Sequence, residues 1–310
     1  MAKVDLYAIP ADEPSRYFPG DLTIRRFVRK ALEPIRDRPP NGLVKVAFNT
    51  AQGLKDLGHD VRVHSNFRLP RSGSLVGIIH APPRIARRIS QVADVLVGPG
   101  VLNVPNDWPD MFSTQYRVKG YIQACDWQAN VFRSLYGHDN ILVWPVGIDT
   151  ELYTPSHPEE KTLDIMVYDK RRWPDASPGL GLLENCVDVV SQSGLTSAVI
   201  TYGKYGRGGE ANFHSLAKRS RAMLFLCENE TQGIAYNQVL SMDVPIIAWD
   251  QGYWQDPCRY DWNMNEVPAT SIPYWDSRCG EVFSSISELP SCLSLFLQKL
   301  QSNQYSPRQY

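Results

Sequence analysis

The chain has 310 residues, with 32 lysines and arginines against 33 aspartates and glutamates, and a formal net charge of −1. Hydrophobic residues make up 43% and charged residues 21%, which is ordinary for a soluble globular protein. No apolar run reaches the ~18 to 20 residues that a helix needs to cross a bilayer, so we expect no membrane-spanning helix. The length allows two domains of about 150 residues, each with its own core.

Six cysteines are scattered along the chain without a C-x-x-C pair and without a histidine at metal-binding spacing. We therefore expect reduced thiols, with neither a disulfide framework nor a zinc site. The first ten residues, MAKVDLYAIP, enter a strand pattern directly and lack a signal-peptide core. These features predict a cytoplasmic protein.

The charge is distributed unevenly between the two halves of the chain. Residues 1–150 hold 19 lysines and arginines against 14 acids, and the remainder holds 13 against 19. Two clusters supply much of the first-half excess: Arg25, Arg26, Arg29, Lys30, Arg36 and Arg38, and then Arg84, Arg87 and Arg88. A solvated helix face explains such clusters. The alternative is a surface that meets an anionic acceptor or the inner face of a membrane.

Strand and helix patterns alternate through both halves. Strands are predicted at 4–9, 60–65, 75–80, 95–98, 118–123 and 141–144, and then at 164–168, 197–202, 222–227 and 244–249. Helices are predicted at 22–32, 42–57, 82–90 and 127–136, and then at 179–193, 211–219, 233–242 and 287–301. This alternation predicts parallel sheets with crossover helices. The proline-rich segment 153–161 is the predicted domain link, and we expect the polar tail after Ser302 to be loose.

The most informative segment spans residues 228–250 and reads ENETQGIAYNQVLSMDVPIIAWD. It predicts an acidic turn, an amphipathic helix from about residue 233 to 241, and an apolar strand. Glu230 and Gln238 stand eight positions apart. Because eight positions are about two helical turns, we expect the two side chains on the same side of this element.

The backbone N–H groups of Gln232, Gly233 and Ile234 lie where this helix is predicted to begin. Amides at a helix start lack an intrahelical partner and attract negative charge. A carboxylate for sugar hydroxyls, free amides for phosphate and a second polar group further along would suit a nucleotide-sugar.

This segment resembles the donor-site signature of retaining glycosyltransferases of the GT-B architecture, and within it family four (glycosyl transferases group 1). In the usual form, an acid is followed by Gly-Phe-Gly and then by Leu-Glu-Ala-Met-Ala-x-Gly-x-Pro-Val-Val-Ala. Here Glu230 takes the place of the first acid, Gly233 of the second glycine and Gln238 of the second acid. Asp243 replaces the glycine before the strand, which is a mild change because aspartate tolerates a left-handed turn. Gln238 keeps hydrogen-bonding capacity for a ribose but carries no charge.

A second motif strengthens the resemblance. Residues 143–155, VWPVGIDTELYTP, are similar to the family's interdomain segment, Pro-Asn-Gly-Val-Asp-Thr-x-x-Phe-x-Pro, and stand about 85 residues before the first motif. The resemblance implies an α/β fold of GT-B architecture, with two facing Rossmann-like domains, parallel sheets and an interdomain cleft. It implies an acceptor domain at 1–150, a nucleotide-sugar donor domain at 151–302 and a polar tail at 303–310.

The resemblance also implies roles for residues of the first half. Gly42, before a helix and a Leu-x-x-x-Gly-His-x-Val run, would back onto the donor diphosphate, because glycine lets the main chain approach closely. A plain Pro-Asn-Gly turn is the alternative for this position. His80 closes the apolar strand LVGIIH. Ligands of open α/β sheets bind outside the carboxyl ends of the strands, so His80 is a candidate catalytic contact, with a structural role as the alternative.

In the second half, Lys170, Arg171 and Arg172 follow the strand DIMVYD, and cations at this position would neutralise a leaving diphosphate. We assign Lys170 and Arg171 as catalytic candidates and leave open which of the three binds. Gly203 and Lys204 would lie near the nucleotide base.

The implied function is metal-independent transfer of a sugar, with retention of configuration, from a nucleotide-diphosphate sugar to an acceptor hydroxyl. No cofactor besides the donor substrate is expected, and the acceptor would be a sugar, a glycan or a lipid-linked glycan. One alternative is a glycosyltransferase-like binding protein without catalysis. A second alternative is an enzyme that glycosylates nucleic-acid bases, although basic residues do not form a stripe interleaved with aromatics.

Overall fold

The computed structural model describes residues 1–9, 42–99, 107–145, 147–176, 178–201 and 209–310. Contacts divide the chain into two compact units, Met1–Gly147 and Ile148–Tyr310. The helix predicted at 22–32, the basic cluster at 25–38, and the candidates Gly203 and Lys204 lie outside the described residues. Within those ranges, no helix is both long and apolar enough to span a bilayer.

Unit 1 contains a six-stranded parallel sheet of order β2-β1-β3-β4-β5-β6. Its strands are β1 (Lys3–Ala8), β2 (Asp60–His64), β3 (Leu75–His80), β4 (Val95–Val97), β5 (Val118–Gln123) and β6 (Ile141–Val143). Its helices are α1 (Gly42–Asp56), α2 (Pro83–Val92) and α3 (Asp126–Tyr136). All the strands predicted for this half are confirmed, and so are the helices predicted within the described residues.

Local sequence accounts for the ends of these helices. Proline supplies the first helical position of α2, where its missing N–H costs nothing. Gly137 ends α3 in the left-handed conformation, with φ of 57°, and its N–H donates to the carbonyl oxygen of Arg133. The side chain of Tyr121 in β5 packs edge-on against Phe132 of α3, with ring centroids 5.1 Å apart. The helix ends and the core contacts therefore agree with the predicted pattern.

A buried carboxylate holds a loop against the sheet of unit 1 by hydrogen bonds. Asp5, in the middle of β1, is fully buried. Its carboxylate accepts hydrogen bonds from His64 Nε2 at 2.9 Å, from the Arg71 backbone N–H at 2.9 Å and from Arg71 Nε at 3.1 Å. Burial alone would raise the pKa of Asp5, but hydrogen bonds from His64, Ser74 and Arg71 outweigh burial and lower the pKa to about 2. The loop 65–74 is thereby fastened to β1.

Unit 2 contains a five-stranded parallel sheet of order β11-β10-β9-β7-β8. Its strands are β7 (Leu163–Asp169), β8 (Ser197–Thr201), β9 (Ser220–Leu226), β10 (Ile246–Trp249) and β11 (Gly280–Phe283). Its helices are α4 (Leu182–Gln192), α5 (Gly209–Arg219), α6 (Ile234–Ser241), α7 (Cys258–Asp261) and α8 (Leu289–Gln301). The sequence interpretation did not predict β11 and α7.

The central strands β7 and β9 send alternate side chains into two separate cores. Tyr168 belongs to one cluster, together with Phe213 of α5 and Tyr236 of α6. Val167 belongs to the other cluster, together with Phe296 of α8. Strands buried on both faces are typical of a parallel sheet covered by helices on each side. Because the strands are parallel, their carboxyl ends open along one margin, which we call the carboxyl edge of unit 2.

The C-terminal tail is held against unit 2. The Arg308 guanidinium donates to the carbonyl oxygens of Ser241 at 2.5 Å and Tyr153 at 3.2 Å, and the Arg308 backbone N–H donates to Asp243 Oδ1 at 3.1 Å. The expectation of a loose tail is therefore wrong, because a cation satisfies carbonyl groups left over at the end of α6. Asp243 itself adopts the left-handed conformation, φ 57°, which confirms the reading of its turn.

Candidate functional site

The carboxyl edge of unit 2 brings together two residues that lie sixty positions apart in sequence. Lys170 follows β7 and Glu230 follows β9, and these two strands are neighbours in the sheet. The Lys170 ammonium donates to Glu230 Oε2, and the Thr231 backbone N–H donates to Glu230 Oε1 at 3.0 Å. Glu230 is only 7% exposed. The structure thus joins two of the predicted catalytic candidates in one nearly buried ion pair.

Burial sets the electrostatics of this pair. It lowers the pKa of the Lys170 ammonium, and the nearby Arg172 guanidinium acts in the same direction. The Glu230 carboxylate offsets the cost of burying the ammonium, because it accepts a hydrogen bond directly from Lys170. Burial also raises the pKa of the neighbouring Cys227 thiol to about 11, so this thiol remains protonated at neutral pH. Lys170 and Glu230 are therefore the charged groups that define this part of the edge.

Arg171 is used in a different way from Lys170. Its Nε donates to Asp169 Oδ1 at 2.7 Å and its Nη2 donates to Asp169 Oδ2 at 2.9 Å, a two-point pairing of guanidinium and carboxylate. Its Nη1 donates to the carbonyl oxygen of Gly179. Both Asp169 and Arg171 are 6% exposed. The guanidinium is thus committed to holding the loop after β7, and a ligand would have to displace these partners.

Glu228 shapes the same loop, and the sequence interpretation gave it no role. Its carboxylate accepts hydrogen bonds from the backbone N–H groups of Arg172 and Trp173, each at 3.0 Å. The Arg172 side chain is exposed, and its guanidinium makes no hydrogen bond with any described residue. Of the three consecutive cations, Arg172 is therefore the one that reaches solvent beside the Lys170–Glu230 pair. Glu228 could have been noticed as a second acid in the segment Glu-Asn-Glu.

The helix α6 begins beside this pair. Gly233 precedes it in the left-handed conformation, φ 63°, and no side chain caps the helix start. A Cβ atom at Gly233 would lie 2.4 Å from the Tyr236 ring, so glycine is required there. The first helical hydrogen bond runs from the Asn237 N–H to the Gly233 carbonyl oxygen at 3.0 Å. The amide of Ile234 therefore belongs to the first turn of α6, where anions are favoured.

The structure corrects one step of the sequence argument. Glu230 and Gln238 do not lie on one helix face, because α6 starts only at Ile234 and Glu230 precedes it in irregular backbone. The left-handed Gly233 is the physical reason, since that conformation prevents the helix from extending toward Glu230. Gln238 lies in the helix and is 4% exposed. Gln232 lies between Glu230 and Gly233, outside the helix.

Asp250, at the end of β10, supports the Glu230 region from the other side. Its Oδ2 accepts the Thr270 hydroxyl at 2.5 Å, and its Oδ1 accepts the Ser271 backbone N–H at 3.2 Å. The Thr270 carbonyl oxygen in turn accepts the Glu230 backbone N–H at 3.0 Å. Asp250 thus holds the irregular segment at Thr270 and Ser271, to which the Glu230 backbone is bonded, a relation that the sequence does not reveal.

Two of the predicted site residues, His80 and Gly42, lie in unit 1. His80 ends β3, where its carbonyl oxygen accepts the N–H of Ile9 at 2.7 Å, and its side chain is half-buried at the carboxyl end of the strand. Gly42 is the first residue of α1, exposed, with open space where a Cβ would be. Gly42 therefore tolerates a side chain sterically in unit 1.

In the part of the chain that the structure describes, no three His, Cys, Asp or Glu side chains are grouped to hold a metal ion. All six cysteines are free thiols.

Comparison with known proteins identifies the fold. No protein-family model matches the sequence, and no curated protein matches it. Among solved structures, the chain is similar to WaaG, a glycosyltransferase involved in lipopolysaccharide biosynthesis, with a TM-score of 0.50 and 13% identity over 98% of this chain and 94% of that chain. It is also similar to AviGT4, a glycosyltransferase involved in avilamycin A biosynthesis, with a TM-score of 0.48 and 16% identity over 100% and 94%.

A third similar structure is an alpha-glucosyltransferase in complex with UDP and a 13-mer DNA, with a TM-score of 0.45 and 8% identity over 99% of this chain and 92% of that chain. We base the fold assignment on WaaG, whose TM-score is the highest of the three. Two Rossmann-like units with parallel sheets of six and five strands match its architecture. The chain therefore has the GT-B fold of glycosyltransferases.

Proposed function

We propose that this protein is a retaining, metal-independent glycosyltransferase that uses a nucleotide-diphosphate sugar. The observation that carries the proposal is the Lys170–Glu230 pair at the carboxyl edge of unit 2, next to the uncapped start of α6. Ligands of parallel α/β sheets bind at this edge. A cation, a carboxylate and helix-start amides are the groups that a sugar diphosphate requires. The GT-B fold supports the same conclusion.

The donor would bind to unit 2 with its diphosphate near the first turn of α6. The amides of Gly233 and Ile234 and the exposed Arg172 guanidinium would contact the phosphate oxygens. Glu230 would accept hydrogen bonds from sugar hydroxyls while Lys170 holds its carboxylate in place. Gln238 would contact the ribose only through its small exposed surface, so we assign it a lesser part. The base would lie toward the segment that contains Gly203 and Lys204.

These groups fit a transfer in which the leaving phosphate takes up charge. The bond between the anomeric carbon and the phosphate oxygen breaks, and a bond from the acceptor oxygen forms on the same face. The acceptor proton passes to the leaving phosphate oxygen, so no separate protein nucleophile is needed. Hydrogen-bond donors that point to the atom where negative charge develops generally make the largest contribution to catalysis. Arg172 and the α6 amides would provide that stabilisation here.

The test is release of nucleoside diphosphate from a panel of nucleotide-sugars, with and without glycan acceptors. We expect Glu230→Ala to lower turnover by about two to three orders of magnitude while the protein remains folded. Glu159→Ala is the matched control, because Glu159 is an exposed acid that makes no described contact with the edge. Near-wild-type turnover by folded Glu230→Ala would contradict the proposal.

A second candidate function is donor binding without catalysis. It is favoured by Gln238, an uncharged and buried residue where the resembling family carries an acid. A thermal-shift screen separates the two candidates, because a ligand that binds only the folded state raises its stability. A nucleotide-sugar that raises the melting temperature but releases no diphosphate with any acceptor would favour the binding protein.

A further inference from the structure

Residues 251–269, which we call the aromatic excursion, leave the sheet after β10 and return before β11. The excursion includes α7 and four large aromatic residues, listed here in chain order: Tyr253, Trp254, Tyr260 and Trp262. It is not part of either sheet and has no place in the donor contacts proposed above. Its composition and its attachment point therefore need a separate explanation.

The excursion is rooted at the candidate site. It starts next to Asp250, whose Oδ1 accepts the Gly252 backbone N–H at 3.1 Å. It ends at Thr270, whose hydroxyl donates to the same aspartate and whose carbonyl oxygen accepts the Glu230 N–H. Both ends of the excursion are thus bonded, through Asp250 and Thr270, to the segment that carries Glu230.

The excursion has a packed interior. Trp254 is only 6% exposed, and its ring centroid lies 5.0 Å from that of Trp262. The Trp254 backbone N–H donates to the Val267 carbonyl oxygen at 2.8 Å, and Tyr253 forms an antiparallel bridge with Pro268. Two indoles in contact, tilted by 54° to each other, and these backbone bonds hold the surface residues on a defined support.

Two tyrosine rings stand on the outside of this support. Tyr260 is 57% exposed and Tyr253 is 39% exposed. The Arg259 guanidinium lies over one face of the Tyr260 ring, 4.3 Å from its centroid, and donates to the Tyr260 hydroxyl at 2.7 Å. One face of Tyr260 is therefore covered and fixed by a cation. The opposite face is the part of the ring that remains for a ligand.

The charge of the excursion limits what that ligand can be. It contains three acids, Asp256, Asp261 and Glu266, against the single cation Arg259. This balance repels nucleic acid and an anionic membrane surface, whose binding depends on lysine and arginine. Exposed amides at Asn263 and Asn265 add neutral hydrogen-bonding groups. Aromatic faces beside carboxylates and amides match the two sides of a sugar ring, its C–H face and its hydroxyl rim.

We propose that the aromatic excursion binds the acceptor, and that the acceptor is a saccharide without phosphate groups whose rings stack on Tyr260 and Tyr253. The proposal rests on the function proposed above, since it names the acceptor class of the same site. It places acceptor recognition on unit 2, next to Glu230, whereas the family resemblance implied an acceptor domain at residues 1–150, and it assigns no role in donor binding to either tyrosine.

The test uses the full chain and two readouts. Binding to a printed array of neutral and acidic oligosaccharides, with single-stranded DNA as an added probe, is measured for wild type, Tyr260→Ala, Tyr253→Ala, Tyr260→Phe and Tyr253→Phe. We expect the alanine variants to lose about tenfold or more in glycan affinity, since each loses a stacking ring. The phenylalanine variants keep the ring, so they should bind the same glycans within about threefold.

The second readout is the thermal shift produced by nucleotide-sugars, which also shows whether each variant is folded. We expect it to be unchanged in all four variants. The proposal is overturned if wild type binds no oligosaccharide, if folded alanine variants bind glycans as wild type does, or if DNA is the ligand lost. A loss of nucleotide-sugar binding in these variants would also overturn it, because the rings would then contact the donor. If glycan binding behaves as expected but no nucleotide-sugar is ever turned over, the saccharide surface stands and the transferase proposal fails.

Discussion

The two sheets of this protein share one architecture but keep their buried charges in different places. In unit 1, the described strand ends β1, β3 and β5 finish in neutral or histidine residues, and the buried carboxylate, Asp5, lies inside the sheet. In unit 2, the buried carboxylates lie at or just after the strand ends, at Asp169, Glu228 and Glu230. A charge inside a sheet can only serve the fold, whereas a charge at the carboxyl edge stands where ligands bind.

The partners of the carboxylates show the same difference. Asp5 accepts hydrogen bonds from the His64 ring and from the Arg71 side chain and backbone, and it is fully buried, so a ligand cannot reach it. Glu230 accepts the Lys170 ammonium and the Thr231 amide, and part of its surface stays accessible. Because it lies at the carboxyl edge, Glu230 stands where a ligand of the sheet would bind.

Lys170→Met should give the largest change, because it leaves Glu230 buried without its cation. We expect the free energy of unfolding to fall by about 3–5 kcal/mol. Turnover should fall by about a hundredfold or more, because Glu230 then protonates or turns away from the sugar. Urea unfolding and diphosphate release measure the two effects.

The double variant Lys170→Met with Glu230→Gln is the control for this prediction. Replacing both members of a buried ion pair is often neutral for stability, so most of the lost stability should return while activity does not. Recovery of activity in the double variant would show that Glu230 acts only in the fold, as Asp5 does.

Arg171→Met and Arg172→Met separate two adjacent cations of the same loop. Arg171→Met leaves the buried Asp169 carboxylate without its cation and should lower the free energy of unfolding by about 3–5 kcal/mol. Arg172→Met removes an exposed side chain and should change stability by less than about 0.5 kcal/mol. It should instead weaken nucleotide-sugar binding by about tenfold, measured by titration calorimetry, through loss of a phosphate contact. Unchanged donor binding in Arg172→Met would leave the phosphate contact to the α6 amides alone.

Asp5→Asn tests the structural carboxylate of unit 1. The pKa of Asp5 is lowered from 3.8 to about 2, so its contribution is complete above pH 4 and is lost as the pH falls toward 2. That shift corresponds to about 2 kcal/mol. We expect Asp5→Asn to lower the stability of unit 1 by about this amount at pH 7 and to flatten its pH dependence between 4 and 2. Hydrogen exchange of the β1 and β3 amides measures unit 1 separately, and an unchanged acid slope would contradict the assignment.

Much of the fold could be predicted from periodicity and strand-end residues. Each long strand of unit 2 is an apolar run, and the turn at Asp243 has the residue type that its left-handed backbone favours. The order of the strands could not be predicted, because a local pattern contains no information on which strands are neighbours. The contact between Lys170 and Glu230 depends on that order, since β7 and β9 pair directly.

The roles of individual side chains were the hardest to predict from the sequence. Lys170, Arg171 and Arg172 form a uniform basic run in the sequence, yet the structure uses one in a buried ion pair, one in the fold and leaves one exposed. The separation arises because Asp169 lies two residues before Arg171 and folds the guanidinium back onto the strand end. Glu228 was not predicted for a related reason: its carboxylate accepts hydrogen bonds from backbone amides, and such a contact has no sequence signature.

Gly233→Ala and Gly194→Ala form the matched pair with the smallest expected effects. Both glycines have positive φ, 63° and 74°, so alanine strains the backbone at each by about 1 kcal/mol. At Gly194 the new Cβ meets nothing within 4 Å, whereas at Gly233 it meets the Tyr236 ring at 2.4 Å. Tyr236 is buried and its hydroxyl accepts the Tyr274 N–H at 3.0 Å, so the ring cannot move freely. We therefore expect Gly233→Ala to cost about 1–2 kcal/mol more than Gly194→Ala in urea unfolding.

Because the displaced backbone is the start of α6, only Gly233→Ala should also weaken the thermal shift produced by nucleotide-sugars. Equal shifts in the two variants would mean that phosphate is not bound at that helix start.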